Sequence, residues 1–295
     1  MIDRLLNIDR RIVFLFIFVG VASAMLFRLP LPITPRPDVV SVYEGIDAVK
    51  GRPGGTVLLS FDYGPGSEPE LQPTAINIMR QCFQNNVRVV GMALWPDAVG
   101  LARAAFDSAS RACGKEYKKD WTFLGYKPGM ETLIINMGQD FKSAFGQDYL
   151  GTDTNEMEVT RDITKLGDFD YVVTLAAGRT IDGVWITYAV DRYSVKLGGA
   201  VTAVMSPDMF PYLQSRQLKG LVSGLAGAAE YEKLVNVSGS ATRGMQPQSV
   251  AHAIIIFFIL IGNVMYFLQR RRDRLASPSG VASPSRFANP SGSRG

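Results

Sequence analysis

Two stretches without a charge dominate the pattern of apolar and polar positions: residues 12–27, IVFLFIFVGVASAMLF, and residues 250–268, VAHAIIIFFILIGNVMYFL. At about 1.5 Å of rise per residue, the 19 residues of the second match the roughly 30 Å hydrocarbon core of a bilayer, which predicts a transmembrane helix. The first is shorter at 16 residues, but Arg28 can snorkel outward and the LPLPI that follows adds apolar surface near an interface. That combination predicts a signal anchor over residues 12–28. A cleaved signal peptide is the rival reading, because Ala22, Ser23 and Ala24 supply the small residues a peptidase requires after an apolar core.

Between these runs the pattern changes character. The prolines of LPLPITPRPDVV forbid a helix and predict an extended linker, so residues 29–55 read as an approach to a domain over 56–236. Within it, apolar runs of strand length (56–63, 87–95, 121–126, 170–178 and 200–206) alternate with amphipathic segments of helical length (69–86, 97–117, 129–145, 180–192 and 208–235). About five near-continuous apolar strands separated by helices imply an α/β fold with a doubly wound, mainly parallel sheet covered on both faces, Rossmann-like or flavodoxin-like. Residues 237–249 read as a polar linker, and 269–295 as a basic tail of low complexity, rich in Ser, Pro and Gly.

Charge sharpens the topology. The net charge is +4, of which residues 1–11 hold +1, Arg28 holds +1 and residues 269–295 hold +5, leaving −3 for the region between. The isoelectric point of 9.0 therefore reflects arginines beside the membrane and gives no reason to invoke nucleic acid. Arg4, Arg10 and Arg11 precede the first run, while Arg270, Arg271, Arg272 and Arg274 follow the second. By the positive-inside rule, residues 1–11 and the tail are cytoplasmic and the domain is extracytoplasmic. A disulfide between Cys82 and Cys113 is open to the chain there, but both lie on apolar stripes at helical spacing, which favours two core thiols.

Absences narrow the chemistry. The one histidine, His252, starts the second apolar run, so the domain can build no Ser-His-Asp or Cys-His pair and no histidine-ligated zinc site. His252 lies near an interface; Asn263, deeper in the run, is expected to bond the first helix or a partner chain.

In open α/β sheets ligands bind beyond the carboxyl ends of the strands, and here those ends are polar. The first leads to Asp62, Tyr63, Gly64, Gly66, Ser67 and Glu68, the second to Trp95 and Asp97, and the third to Tyr126 and Lys127. The last two lead to Gly178, Arg179 and Thr180, and to Ser206 and Asp208. GPGS at 64–67 offers backbone N–H groups to an anion, yet there is no nucleotide motif: the P-loop lysine and the third glycine of a dinucleotide fingerprint are missing. Ser67 followed by Glu70 fits a capping box instead.

Two functional sites are conceivable on these residues. Asp62, Glu68, Asp97 and Asp208 would hold a hard cation such as Mg²⁺ or Ca²⁺, with Asp62, Asp97 and Asp208 as catalytic candidates and Lys127 and Arg179 gripping an anionic substrate. Alternatively Tyr63, Gly64, Gly66, Ser67, Trp95, Tyr126, Lys127, Arg179 and Ser206 bind a small ligand without chemistry. A further stripe, Gly220, Gly224, Gly227 and Ala228, predicts close helix packing on the sheet or on another subunit.

The leading expectation is a two-pass membrane protein whose extracytoplasmic α/β domain is a binding, scaffold or accessory module of a membrane assembly. Its partners would be the lipid bilayer and either another membrane protein or a second copy. A divalent-metal-dependent hydrolase or transferase, and a membrane-anchored solute binder or sensor, are the alternatives.

Overall fold

The computed structural model describes residues 10–27 and 32–276; the predicted cytoplasmic residues 1–9, Arg28 and the tail from 277 lie outside the described residues. In chain order the elements are α1 (Arg10–Leu26), α2 (Pro37–Asp47), β1 (Thr56–Asp62), α3 (Glu68–Gln84), β2 (Arg88–Ala93), α4 (Ala98–Cys113), β3 (Trp121–Tyr126) and α5 (Met130–Gln139). Then follow β4 (Tyr171–Ala176), a π-helix (Ile181–Val190), β5 (Leu197–Val201), α6 (Ser206–Gln214), β6 (Leu218–Ser223), α7 (Gly224–Leu234) and α8 (Ser240–Ala276). The chain divides into two units, one from residues 1–26 and 248–295 and one from residues 27–247.

In the larger unit the six strands form one sheet in the order β3-β2-β1-β4-β5-β6, with every pairing parallel. The chain starts at β1 in the middle, winds outward to β3, then returns past β1 and winds outward the other way. That is the order of a doubly wound Rossmann-like sheet, and its switch point lies between β1 and β4. A strand covered on both faces has no polar side to show, which is why TVLLSFD of β1 and YVVTLA of β4 are buried at every position. The alternating pleat sends Val57, Leu59 and Phe61 to one core with Ile78, Met79 and Phe106, and Leu58 to the other with Ile134 and Trp185.

Several expectations are corrected. The sheet has six strands, because LKGLVS at 218–223 is a strand; the helix anticipated over 208–235 is in fact α6, β6 and α7. The fifth strand lies at Leu197–Val201, earlier than the anticipated 200–206, since LGGAV pairs with β4 while residues 203–205 already turn toward α6. Residues 37–47, within the stretch read as linker and domain entry, form α2: Pro37 occupies the first helical turn, where its missing N–H costs nothing, and Val39, Val42 and Ile46 are buried at helical spacing. Helix α8 begins at Ser240 and runs through Pro247, so the expected linker before residue 250 is largely helical. Both cysteines are free thiols, Cys82 buried and Cys113 half-buried.

The smaller unit contains α1 and most of α8. Among the described residues one helix, Ser240–Arg272, is long and apolar enough to cross a membrane; Arg11–Leu26 is a shorter apolar helix. Within this unit α1 lies against one face of α8: a Cβ on Gly20 would meet Ile254 and Val250, and the rings of Phe16 and Phe258 meet edge to face at 5.8 Å.

One close approach fixes α2 on the edge of the sheet. A Cβ on Gly220 of β6 would come within 2.7 Å of both the Asp38 carbonyl oxygen and the Val42 nitrogen, backbone atoms of α2 that cannot swing aside. Gly220→Ala is therefore expected to lower stability by roughly 1–3 kcal/mol in urea denaturation, the usual range for overpacking. Gly167→Ala, where an added Cβ meets nothing within 4 Å, should change it by less than about 0.5 kcal/mol. Equal midpoints for the two variants would refute the packing described.

Candidate functional site

Because all six strands are parallel, their carboxyl ends share one edge, and the β1–β4 switch point is where a ligand crevice is expected. The group placed there is Asp62, the last residue of β1. It is fully buried and accepts four hydrogen bonds: from Ser60 Oγ at 2.7 Å, Thr174 Oγ1 at 2.9 Å, the Leu94 backbone N–H at 3.2 Å and Trp185 Nε1 at 3.3 Å. The donors come from β1, β4, the residue after β2 and the π-helix. Burial pushes the Asp62 carboxyl above the usual carboxylate range, and the four donors oppose that shift without cancelling it.

Next along the chain, Tyr63 is buried rather than lining a cleft. Its hydroxyl donates to Gln72 Oε1, Gln72 Nε2 donates to the Leu101 carbonyl at 2.9 Å, and its ring packs on Phe61 at 6.2 Å. Burial and the neighbouring Glu68 charge both push the Tyr63 hydroxyl upward. The turn beyond it is exposed: Pro65–Ser67 forms one 3₁₀ turn that runs directly into α3. The expected capping box does not form, because Ser67 already sits in that turn and its side chain makes no cap bond among the described residues. Glu70 instead accepts the Ala203 backbone N–H at 2.8 Å, joining the start of α3 to the loop after β5.

The remaining predicted residues fall into separate places. Trp95 packs against Gly178, where a Cβ would come within 2.9 Å of the indole, and Asp97 lies beside Gly64. Arg179 donates through Nε to Asp182 Oδ2 at 2.9 Å, and this pairing, with a smaller contribution from the Asp208 charge, raises the guanidinium above its ordinary value. Ser206 is buried at the start of α6, and Asp208 is exposed in its first turn. Tyr126 and Lys127 stand at the far edge strand; the Lys127 ammonium donates to the Ala144 carbonyl and lies 5.0 Å over the Phe145 ring. They border a separate open groove of about 750 Å³ with Val99, Gln147 and Tyr149.

Asp62, Glu68, Asp97 and Asp208 thus do not assemble as a cation site: Asp62 is turned inward and fully engaged, while Glu68 at the start of α3, Asp97 just before α4 and Asp208 in the first turn of α6 are exposed on separate elements. Among the described residues no group of three or more His, Cys, Asp or Glu side chains is placed to hold a metal ion.

Sequence reasoning missed the residues that matter most at the switch. Ser60 and Thr174 interrupt otherwise apolar strands, and a polar residue in such a run is a signal, since buried polar groups need partners. Asp182 follows Arg179 at i+3, the spacing of a helical ion pair. Thr180 Oγ1 and Asp182 Oδ1 are buried here without a hydrogen-bond partner among the described residues. In comparisons with known proteins, no family model, no curated protein and no solved structure matches the chain.

The burial of Asp62 has a measurable signature. With a folded-state pKa above the unfolded value of 3.8, the folded protein keeps this proton longer than the unfolded chain as pH rises. The stability the group contributes is complete below pH 3.8 and is lost as pH climbs through the folded-state pKa. Asp62→Asn removes that slope, so its stability relative to wild type should improve as pH is raised above 3.8 in urea denaturation series. Parallel curves for the two proteins would contradict the assignment.

Proposed function

We propose that this chain is a two-pass membrane protein whose α/β unit, held on the extracytoplasmic side, serves as a binding or scaffold module in a larger membrane assembly. The observation that carries the reading is the placement of Asn263 in the apolar part of α8. Residues 254 and 263 are nine apart, half a turn out of phase at about 100° per residue. With α1 lying against the Ile254 and Phe258 face, Asn263 is on the opposite face, and its side chain is exposed.

An amide facing hydrocarbon is unfavourable unless another helix satisfies it, and interhelical hydrogen bonds from Asn are a recurrent glue in membranes. His252 lies eleven residues before Asn263, within about 20° of the same face, so both polar residues of this apolar run are on the side away from α1. The flanking arginines supply the orientation through the positive-inside rule. No catalytic role is assigned, because Asp62, the carboxylate that ends β1 at the switch point, is engaged by four donors from the fold itself and Asp182 is paired with Arg179.

Two measurements test this. Protease added to intact cells or spheroplasts should cleave within residues 40–245 and spare the arginine-bearing ends; the reverse pattern would overturn the orientation. In native electrophoresis of mildly solubilised membranes, wild type should migrate as a complex. Asn263→Leu should weaken that complex by roughly 3- to 20-fold, corresponding to about 0.6–1.7 kcal/mol for one interhelical hydrogen bond. A wild type that migrates as a monomer, or a complex indifferent to Asn263→Leu, would refute the assembly role.

A further inference from the structure

Helix α8 carries two seams. On the side of α1, Ile254, Phe258, Ile261 and Met265 repeat at four, three and four residues and are half-buried or buried. Gly20 and Phe16 of α1 meet this seam at Ile254 and Phe258. Two residues out of step, His252, Ile256, Ile259, Asn263 and Tyr266 repeat at four, three, four and three residues. Two residues turn a helix by about 200°, so the second seam faces away from α1. All five of its side chains are exposed.

Alternate spacings of four and three residues keep a stripe facing a neighbouring helix over its whole length, and helices in membranes mostly cross at the shallow angle this repeat implies. The first seam has its neighbour in α1. The second has the same repeat and lies open.

Asn263 decides what fits there. Ile256 and Ile259 ask only for apolar contact, but the carboxamide, about 6 Å beyond Ile259 along the axis, needs a donor and an acceptor at its own depth. An unrelated helix offers these only if a polar residue happens to fall at that level. A second copy offers them by construction. Every copy inserts with the same orientation, so two α8 helices run parallel, and a two-fold axis between them sets Asn263 opposite its counterpart. The carboxamide is its own complement, because Nδ2–H of each copy can donate to Oδ1 of the other. A slip by one heptad would set Asn263 against Ile256 or Arg270 instead. The amide therefore fixes the alignment too, as a single core asparagine does in a coiled coil.

We propose that the seam from His252 to Tyr266 is the contact between two copies of this chain, paired in parallel with Asn263 against Asn263. This rests on the membrane-spanning reading of α8 and names a second copy as the partner that reading requires.

Disulfide cross-linking of the full chain in native membranes tests the pairing, in a Cys113→Ala background where the remaining thiol, Cys82, is buried. Ile256→Cys and Ile259→Cys place a thiol on the seam. Phe257→Cys places one off it, at a position as exposed as Ile256, 58% against 56%. Under mild oxidation the two seam variants should form dimers of twice the chain mass, while Phe257→Cys stays monomeric. Adding Asn263→Leu should slow dimer formation roughly threefold, the low end of what one interhelical hydrogen bond is worth. Two differently tagged copies, co-expressed and extracted mildly, should also co-purify. If native electrophoresis shows a complex but neither seam variant cross-links and the tags do not co-purify, the assembly holds a different protein and the second copy is overturned. A monomeric wild type would overturn this pairing and the assembly role together. Cross-linking of Phe257→Cys as fast as the seam variants, or a rate indifferent to Asn263→Leu, would overturn the pairing alone.

Discussion

A single buried carboxylate holds the centre of the sheet together. Asp62 ends the middle strand at the point where the winding reverses, and its two oxygens accept from β1, β4, the residue after β2 and the π-helix. Placing a carboxyl group there is unfavourable in itself, as the rise of its pKa records. Four donors offset part of that penalty, and the result is a knot that fixes the carboxyl ends of β1 and β4 relative to one another. Trp185, one of the largest fully buried side chains, donates its indole N–H to Asp62. A doubly wound sheet usually keeps the switch point for a ligand. In this chain the carboxyl at the switch is bonded by a residue of the protein's own π-helix, a rare element.

What the sequence reveals of this arrangement depends on which physical signal dominates each segment. Strands β1 to β4 are legible because runs such as TVLLSFD and YVVTLA are too apolar and too short to be anything but doubly covered strands. Strands β5 and β6 are harder to see because glycine dilutes the signal: LGGAV and LKGLVS owe their strand state to contacts made from outside. Gly198 is crossed by the Tyr171 ring and Gly220 by the backbone of α2, and at both places the missing side chain is what lets another element approach. A glycine in a strand interior marks such an approach, whereas the small-residue spacing at 220–228 resembled a helical packing stripe. The stripe is real but belongs to two elements, β6 and α7.

At the candidate site, residue types were legible and their roles were not. Tyr63 and Asp62 carry chemistry on paper, yet β1 is central and buried, so both turn into the core and are satisfied there. Tyr126 and Lys127 follow the same kind of strand end but sit on an edge strand, where there is open surface to face. Strand order decides between these fates, and a single sequence does not encode strand order locally. Three of the buried polar atoms without a partner among the described residues flank one strand, those of Thr180 and Asp182 past β4 and of Tyr171 at its start. Asp182 is held through its other oxygen by Arg179, whereas the Tyr171 hydroxyl lies between two glycines that offer it no side chain.

Helix α7 ties this sheet to the segments that lead toward the apolar helices. Glu230 takes the backbone N–H and the guanidinium of Arg36 at 2.9 Å each, fastening the residue just before α2. Two residues on, Glu232 is 1% exposed and accepts the N–H groups of Gly239, Ala241 and Thr242 at 3.1, 3.0 and 2.8 Å. Those are orphan donors at the start of α8, and a carboxylate there complements both the free N–H groups and the helix dipole. The incoming and outgoing chain are thus anchored on one helix by two neighbouring carboxylates, each bonded to backbone as well as carrying charge. Bonds to backbone resist rotation in a way that a surface ion pair between flexible side chains does not.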